Sequence, residues 1–203
     1  WEIGVKEETE AGLAAAHHIT ELEVENNRLA PNAMEPRSAI AIYDEAEDHY
    51  TLYTTSQNPH VARLVLSAFY NVAPEHKLRV IAPDVGGGFG SKFAADEWGI
   101  ACAILSKQTG KRVHLHLDRG TELKVAGTRP SAFADVTIAA DDDGTIVAWD
   151  SHHWGTNGIK GGTVSQVPYV IQPDNRRVRT TGLITNTGPT RAWRAPNHPQ
   201  ACA

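Results

Sequence analysis

The stretch VGGGFGSK, residues 85–92, packs four glycines and one phenylalanine into positions 86–90. It follows an apolar run and precedes a helix-like pattern. Strand, glycine loop, helix is a layout that can cradle an anion, because bare backbone N–H groups and a helix N-terminus both face the ligand. Two familiar versions of such a cradle fail here. A nucleotide P-loop needs G-x-x-x-x-G-K-[ST], but the sixth position from Gly86 is Ser91, and Lys92 is followed by Phe93. A dinucleotide fingerprint needs G-x-G-x-x-G, but the last glycine is Ser91 or Phe93, depending on the start. A tight strand-to-helix turn is the plainer alternative, and four glycines exceed what it needs.

Other residue types with chemical potential give less. The ten histidines include His114 and His116, expected on one strand face, and His152 and His153, expected on opposite faces. None has a second cluster at zinc spacing. The two cysteines, Cys102 and Cys202, cannot by themselves build a disulfide framework or an iron–sulfur cluster. Cys102 sits in an apolar helical pattern and reads as core. The DDDG at 141–144 reads as a hairpin turn rather than a calcium loop. A net charge of −5 and the absence of a basic block argue against nucleic acid. No apolar run approaches a membrane span and no signal peptide is visible, so a soluble, cytoplasmic chain is expected.

The elements that must position these residues follow from pattern. Residues 1–16 are acidic and Ala-rich, with no clear periodicity, and residues 1–20 read as a lead-in. Strands are expected in 18–29 (alternating at Leu22, Val24 and Asn26), 38–43, 49–56, 76–83, 111–119, 133–154 (a hairpin) and 175–187. One helix begins at Pro59 with Asn58 as its cap, and Val61, Leu64, Val65, Ala68 and Phe69 on its apolar face. A second follows the glycine loop, with Trp98, Cys102 and Leu105 inward and Gly110 as terminator. Residues 26–37 and 188–200 read as loops, and 155–175 as irregular. The pattern predicts an α+β fold of mixed sheets and packed helices with βαβ-type units. The chain starts at Trp1 and ends in HPQACA without a cap or polar tail, which reads as one piece of a longer subunit.

Four segments in order carry a family resemblance. VGGGFGSK resembles the glycine–phenylalanine loop of the xanthine oxidase family of molybdenum hydroxylases. TTSQNPH at 54–60 resembles the segment holding a glutamine beside the metal. NNRLAPNAMEPR at 26–37 is similar to the lead-in of large subunits of the carbon monoxide dehydrogenase type, and RAWRAPNHPQ at 191–200 to the arginine loop near the substrate. The resemblance spans nearly all of 20–203 and implies that 1–203 is the central molybdopterin-binding domain of a longer large subunit. It implies that Gly87, Gly88, Phe89 and Gly90 lie against the cofactor and that the Phe89 ring walls the substrate pocket. Gln57 matches the glutamine whose amide donates to an oxo group on the metal. Arg194 matches the arginine whose donors suit a developing oxyanion, with Arg191 a weaker candidate. Gln57, Phe89 and Arg194 are thus the catalytic candidates. Without the resemblance, Gln57 is a strand-end polar residue and Arg194 a surface arginine.

In this family the pterin's sulfurs hold the molybdenum, so no side chain is expected to ligate metal. The cofactor is expected in its cytosine dinucleotide form. Iron–sulfur and FAD groups belong to partner subunits, in a dimer of heterotrimers. The resemblance places the general-base glutamate beyond residue 203. Asp96 and Glu97 are expected to be solvated acids of a first helical turn. Two positions depart from the family. Phe93 stands where purine-oxidising members carry a glutamate, which argues against xanthine. Ala195 stands where carbon monoxide enzymes carry a copper-binding cysteine, which argues against carbon monoxide. Aldehydes or N-heterocycles remain, with water as oxygen donor. The alternative is a non-catalytic fragment or remnant with the family fold and no cofactor.

Overall fold

A computed structural model describes residues 1–93, 96–160, 170–196 and 198. In chain order the elements are β1 (Glu2–Gly4), α1 (Lys6–Ala15), β2 (His18–Asn26), β3 (Ser38–Asp44), β4 (His49–Thr54), α2 (Pro59–Ala68), β5 (Leu78–Ile81), α3 (Glu97–Thr109), β6 (Val113–His116), α4 (Arg119–Val125), β7 (Ser131–Ala140), β8 (Ile146–Thr156) and β9 (Asn175–Leu183). Mixed sheets and packed helices make this an α+β fold, as expected. The chain divides into two compact units, one of Trp1–Leu29, Thr128–Thr190 and Ala195–Ala203, the other of Ala30–Gly127 and Arg191–Arg194.

The first unit is a five-stranded sheet ordered β1-β9-β8-β7-β2. Only β8 and β9 pair in parallel. The β7–β8 hairpin turns at the DDDG, where Gly144 takes φ +84°. The small Ala139 and Ala148, register partners in β7 and β8, leave room for a close layer on their face of the sheet. That layer includes α1, which the Ala- and Glu-rich sequence concealed, so residues 1–16 carry a strand and a helix instead of a patternless lead-in. Gly12 makes the contact possible, since a Cβ there would sit 2.9 Å from Asn175 Nδ2 and 3.1 Å from the Ala148 Cβ. His153 is buried against Ser151 Oγ at 2.9 Å while His152 is more open, as alternation predicts. Burial, and then the neighbouring His152, push the His153 imidazole below its usual range.

The second unit holds a four-stranded sheet ordered β5-β4-β3-β6. β3 and β4 form the expected hairpin, and β4–α2–β5 is a βαβ unit with β4 and β5 parallel. Asn58 caps α2 by accepting from the Val61 N–H at 3.2 Å. The buried seam of α2 is Ala62 and Leu66, whereas Leu64 and Phe69, expected inward, are exposed. Ala62 lets the helix approach β5 closely, and that contact rotates the broad apolar face. α3 does the same with Gly99, Cys102, Ala103 and Ser106 on β3, β4 and β6, leaving Leu105 exposed. Gly110 ends α3 at φ +62°. The core between sheet and helices is Ala39, Ala41, Tyr50, Leu52, Leu66, Leu78, Cys102 and Ala103.

The β3–β4 turn supplies one testable electrostatic device. Asp48, at φ +46°, accepts from the Lys77 ammonium and from the Tyr43 hydroxyl. Lys77, and then Tyr43, lower its pKa from 3.8 to about 2. A depressed carboxylate stabilises the fold above its unfolded pKa and loses that contribution as pH falls through the folded value. Asp48→Asn, which tolerates the left-handed backbone, should therefore be less stable than the parent at neutral pH. The gap should close between about pH 4 and pH 2. Denaturant unfolding across that range tests this, and a gap independent of pH would refute it.

Candidate functional site

The second unit brings every predicted site residue to one place. The glycine loop leaves the end of β5 and bends through Gly87 at φ +102°, Phe89 at +55° and Gly90 at +92°. Only Gly87 and Gly90 adopt such angles without strain; Phe89 is held there by its surroundings. The Phe89 ring folds back over Gly87, where a Cβ would lie 2.9 Å from ring Cε2. The ring itself is about half exposed.

Gln57 lies three residues beyond β4, just before α2, and reaches into the loop. Its Oε1 accepts from the Gly90 N–H at 2.8 Å and the Lys92 N–H at 3.2 Å, while its own N–H donates to Lys92 O at 2.8 Å. Two N–H groups facing one amide oxygen fix the amide's orientation, and the NH₂ group is turned outward as a donor. Gly88 packs on this side chain, and a Cβ there would be 2.4 Å from Gln57 Cγ, Cδ and Oε1. Gly90 faces the arginine loop, 3.3 Å from its would-be Cβ to Ala192 O. Arg194 joins the same cluster through its backbone, whose N–H donates to Phe89 O at 2.7 Å.

Among the described residues, the N–H groups of Gly87, Gly88 and Phe89 have no protein acceptor, whereas those of Gly86, Gly90, Ser91 and Lys92 do. Three successive donors on a glycine-rich turn, beside an outward amide, fit a large anionic ligand approached by backbone. The Gly90 N–H belongs to Gln57, so this glycine serves the cradle by close packing. No group of three or more His, Cys, Asp and Glu fit for a metal ion occurs among the described residues.

Beneath the loop lies a layer of charge. Arg37, only 2% exposed, donates through Nε to Asp96 Oδ2 at 2.7 Å, through Nη1 to Glu122 Oε1, and through Nη2 to Ser91 O and Oγ at 2.6 and 2.7 Å. Asp96 Oδ1 accepts from Arg191 Nη1. Asp96 is therefore a buried bridge between two guanidiniums, not the solvated acid its place before a helix suggested. Lys92 is buried too and donates to Glu35 O and Oε2, both at 2.8 Å. Its ammonium is engaged by Glu35 instead of serving as the phosphate-reaching lysine of a P-loop. Glu35 Oε2 also accepts the Gly86 N–H at 2.9 Å. The segment Glu35–Arg37 thus grips the loop at Gly86, Ser91 and Lys92. A cavity of about 10 Å³ sits between them, lined by Asn32, Arg37, Gly88, Ser91, Lys92 and Glu122.

Comparison with known proteins gives the family. The chain is 35% identical over 158 residues to the carbon monoxide dehydrogenase large chain of Afipia carboxidovorans, a match covering 78% of this chain and 19% of that one. It is 34% identical over 139 residues to indole-3-acetaldehyde oxidase of Zea mays, covering 68% and 10%. Among solved structures, carbon monoxide dehydrogenase from Oligotropha carboxidovorans superposes with a TM-score of 0.76 at 28% identity, covering 95% of this chain and 25% of that one. The chain thus spans a fifth or less of the length of these curated relatives. The family model described as the molybdopterin cofactor-binding domain matches residues 1–203, and the chain belongs to that family.

Proposed function

We propose that residues 1–203 are the central cofactor-binding part of the large subunit of a molybdenum hydroxylase that oxidises an aldehyde or an N-heterocycle. The observation that carries this reading is the row of open N–H groups at Gly87, Gly88 and Phe89 beside the outward amide of Gln57. When bound, the molybdenum cofactor supplies the two-electron centre at which carbon is oxidised with water as oxygen donor. The chain's own residues bind and orient. Gly87, Gly88 and Phe89 donate backbone N–H groups to the cofactor, and Gly90 keeps the arginine loop close. The Gln57 amide donates toward the reacting side. The Phe89 ring would wall the pocket and exclude water, and Arg194, tied by its backbone N–H to Phe89 O, would meet negative charge developing on substrate.

Electrons leave through iron–sulfur and FAD partner subunits in a dimer of heterotrimers, located in the cytoplasm, and the cofactor is the cytosine dinucleotide form. Phe93 and Ala195 support an apolar pocket without purine-reading glutamate or copper-holding thiolate. Among the described residues, no helix is long and apolar enough to cross a membrane.

Molybdenum by mass spectrometry on the purified natural protein, with pterin fluorescence after oxidation, tests the proposal. Stoichiometric metal and pterin are expected. Neither one, from a host able to build the cofactor, would favour the remnant reading instead. Within the site, Gln57→Ala should retain cofactor and lower kcat on the order of tenfold to a hundredfold. Gln57→Glu separates two roles, because a carboxylate still accepts from Gly90 and Lys92 but cannot donate outward. Equal loss in both variants is the expected kinetic result; full activity in Gln57→Glu would remove the donor role.

A further inference from the structure

We propose that Asp96 is a positioning residue that sets the spacing between the glycine loop and the arginine loop. Its two carboxylate oxygens are divided between the loops' anchors. Oδ2 accepts from Arg37 Nε at 2.7 Å, and Arg37 holds Ser91 by both its carbonyl and its hydroxyl. Oδ1 accepts from Arg191 Nη1, three residues before Arg194. The loops then meet directly where the Arg194 N–H donates to Phe89 O at 2.7 Å. The result is a closed circuit: Ser91, Arg37, Asp96, Arg191, Arg194, Phe89, and back along the chain to Ser91.

Burial makes the circuit stiff. Asp96 is 7% exposed and Arg37 2%, so water cannot replace either bond cheaply, and a carboxylate holding two guanidiniums has little freedom to rotate. The arginine loop has a further fixed point at Gly127, which takes φ +81° and lies against Arg191, its would-be Cβ 2.4 Å from Arg191 Cγ. The strained angles at Phe89 (φ +55°) and Arg194 (φ +35°) occur at the two residues joined by the inter-loop bond. Such backbone conformations persist only when the surroundings over-determine them. Asp96 is the one carboxylate among the described residues that ties both anchors together. On the proposed function, the circuit fixes the span across which the Phe89 N–H and Arg194 face one ligand, and a change of about 1 Å in such a span is costly to catalysis.

The test uses hydrogen exchange, which needs no activity and no identified substrate. It is run on the natural protein and on Asp96→Asn and Asp96→Glu. Asparagine keeps the shape but puts an NH₂ donor where one of the two oxygens was, so it faces either Arg37 or Arg191 with a donor and loses that bond. Glutamate restores the bridging carboxylate. Peptides covering residues 86–93 and Arg194 should exchange about tenfold faster in Asp96→Asn, together, with the β3–β4 hairpin unchanged. Asp96→Glu should recover much of the protection. Wild-type protection in Asp96→Asn overturns the proposal. So does a uniform rise that includes the hairpin, or a glutamate variant no better than asparagine, because each marks a role in bulk stability or volume only. If Asp96→Asn fails to fold, Arg191→Gln replaces it. Faster exchange at residues 86–93 is then expected, and a change confined to the arginine loop overturns the proposal. Absence of molybdenum from the natural protein would sink the proposed function while leaving this exchange result standing or falling by itself.

Discussion

Gly88→Val should fold normally and lose cofactor, with molybdenum and pterin content falling at least tenfold below the parent. The reason lies in what occupies the space beside Gly88. A Cβ there would be 2.4 Å from three atoms of Gln57, a distance no side chain tolerates. The backbone of Gly88 is not in the left-handed region, so the chain accepts valine and Gln57 must leave. Its Oε1 then releases the Gly90 and Lys92 N–H groups, a loss Gln57→Ala shares, but here a branched side chain also stands among the three open donors, and that steric block is what excludes the cofactor. The hydrophobic core of the unit, centred on Leu52, Leu66 and Cys102, is untouched, so unfolding temperature should change little. Retention of full molybdenum by Gly88→Val would show that the loop does not hold the cofactor. Gly88→Ala is the finer probe. It expels the same amide with a single methyl, so its effect on turnover should nearly vanish in a Gln57→Ala background. That non-additivity is expected of residues in contact and not of distant, independent sites.

The glycine loop was legible because its composition has no bland use, and Gln57 and Arg194 because they lie in segments resembling a known family. Strands with clean alternation, such as β3, β4 and β7, were legible too. Helix faces were not. In α2 and α3 the buried seams run through Ala62, Gly99, Ala103 and Ser106, where smallness permits close approach, while the large apolar residues on which periodicity depends lie partly outside. α1 was hidden because, apart from Thr9, its residues are exposed or only partly buried, and an Ala- and Glu-rich stretch of low amphipathicity carries no phase to read. The charged layer was the least legible of all. Arg37 meets Asp96 across 59 positions and Glu122 across 85, and no local pattern reports on a buried ion pair. Each residue alone, Asp96 included, reads as a solvated charge. The one available signal was that Glu35 and Arg37 flank a proline inside a segment the resemblance already singled out.

Arg37→Leu should be the most destabilising single change in the site, by about 3–5 kcal/mol. Arg37 is 2% exposed, and its side chain serves five acceptors: one carboxylate oxygen each of Asp96 and Glu122, both oxygens of Ser91 and, at 3.5 Å, the Ala126 carbonyl. Removing it strands unequal partners. Asp96 keeps Arg191. Glu122, 5% exposed, keeps only the backbone N–H of residue 37 at 3.0 Å. The larger part of the cost is therefore the desolvated Glu122 carboxylate, not the Coulomb energy of the pair. This reasoning separates the double variant from the single one. Arg37→Leu with Glu122→Leu removes the stranded charge along with its partner, so it should be more stable than Arg37→Leu alone. A whole buried pair exchanged for apolar side chains is often close to neutral. Arg37→Lys should fall between, since an ammonium can satisfy one carboxylate but lacks the planar fork that reaches Ser91 at the same time. Denaturant unfolding of the natural protein, Arg37→Leu, Glu122→Leu and the double variant measures the cycle, with Arg37→Lys beside it. Simple additivity of the two leucine substitutions would mean that Glu122 does not depend on Arg37, and that the guanidinium is held for its contact with the glycine loop instead.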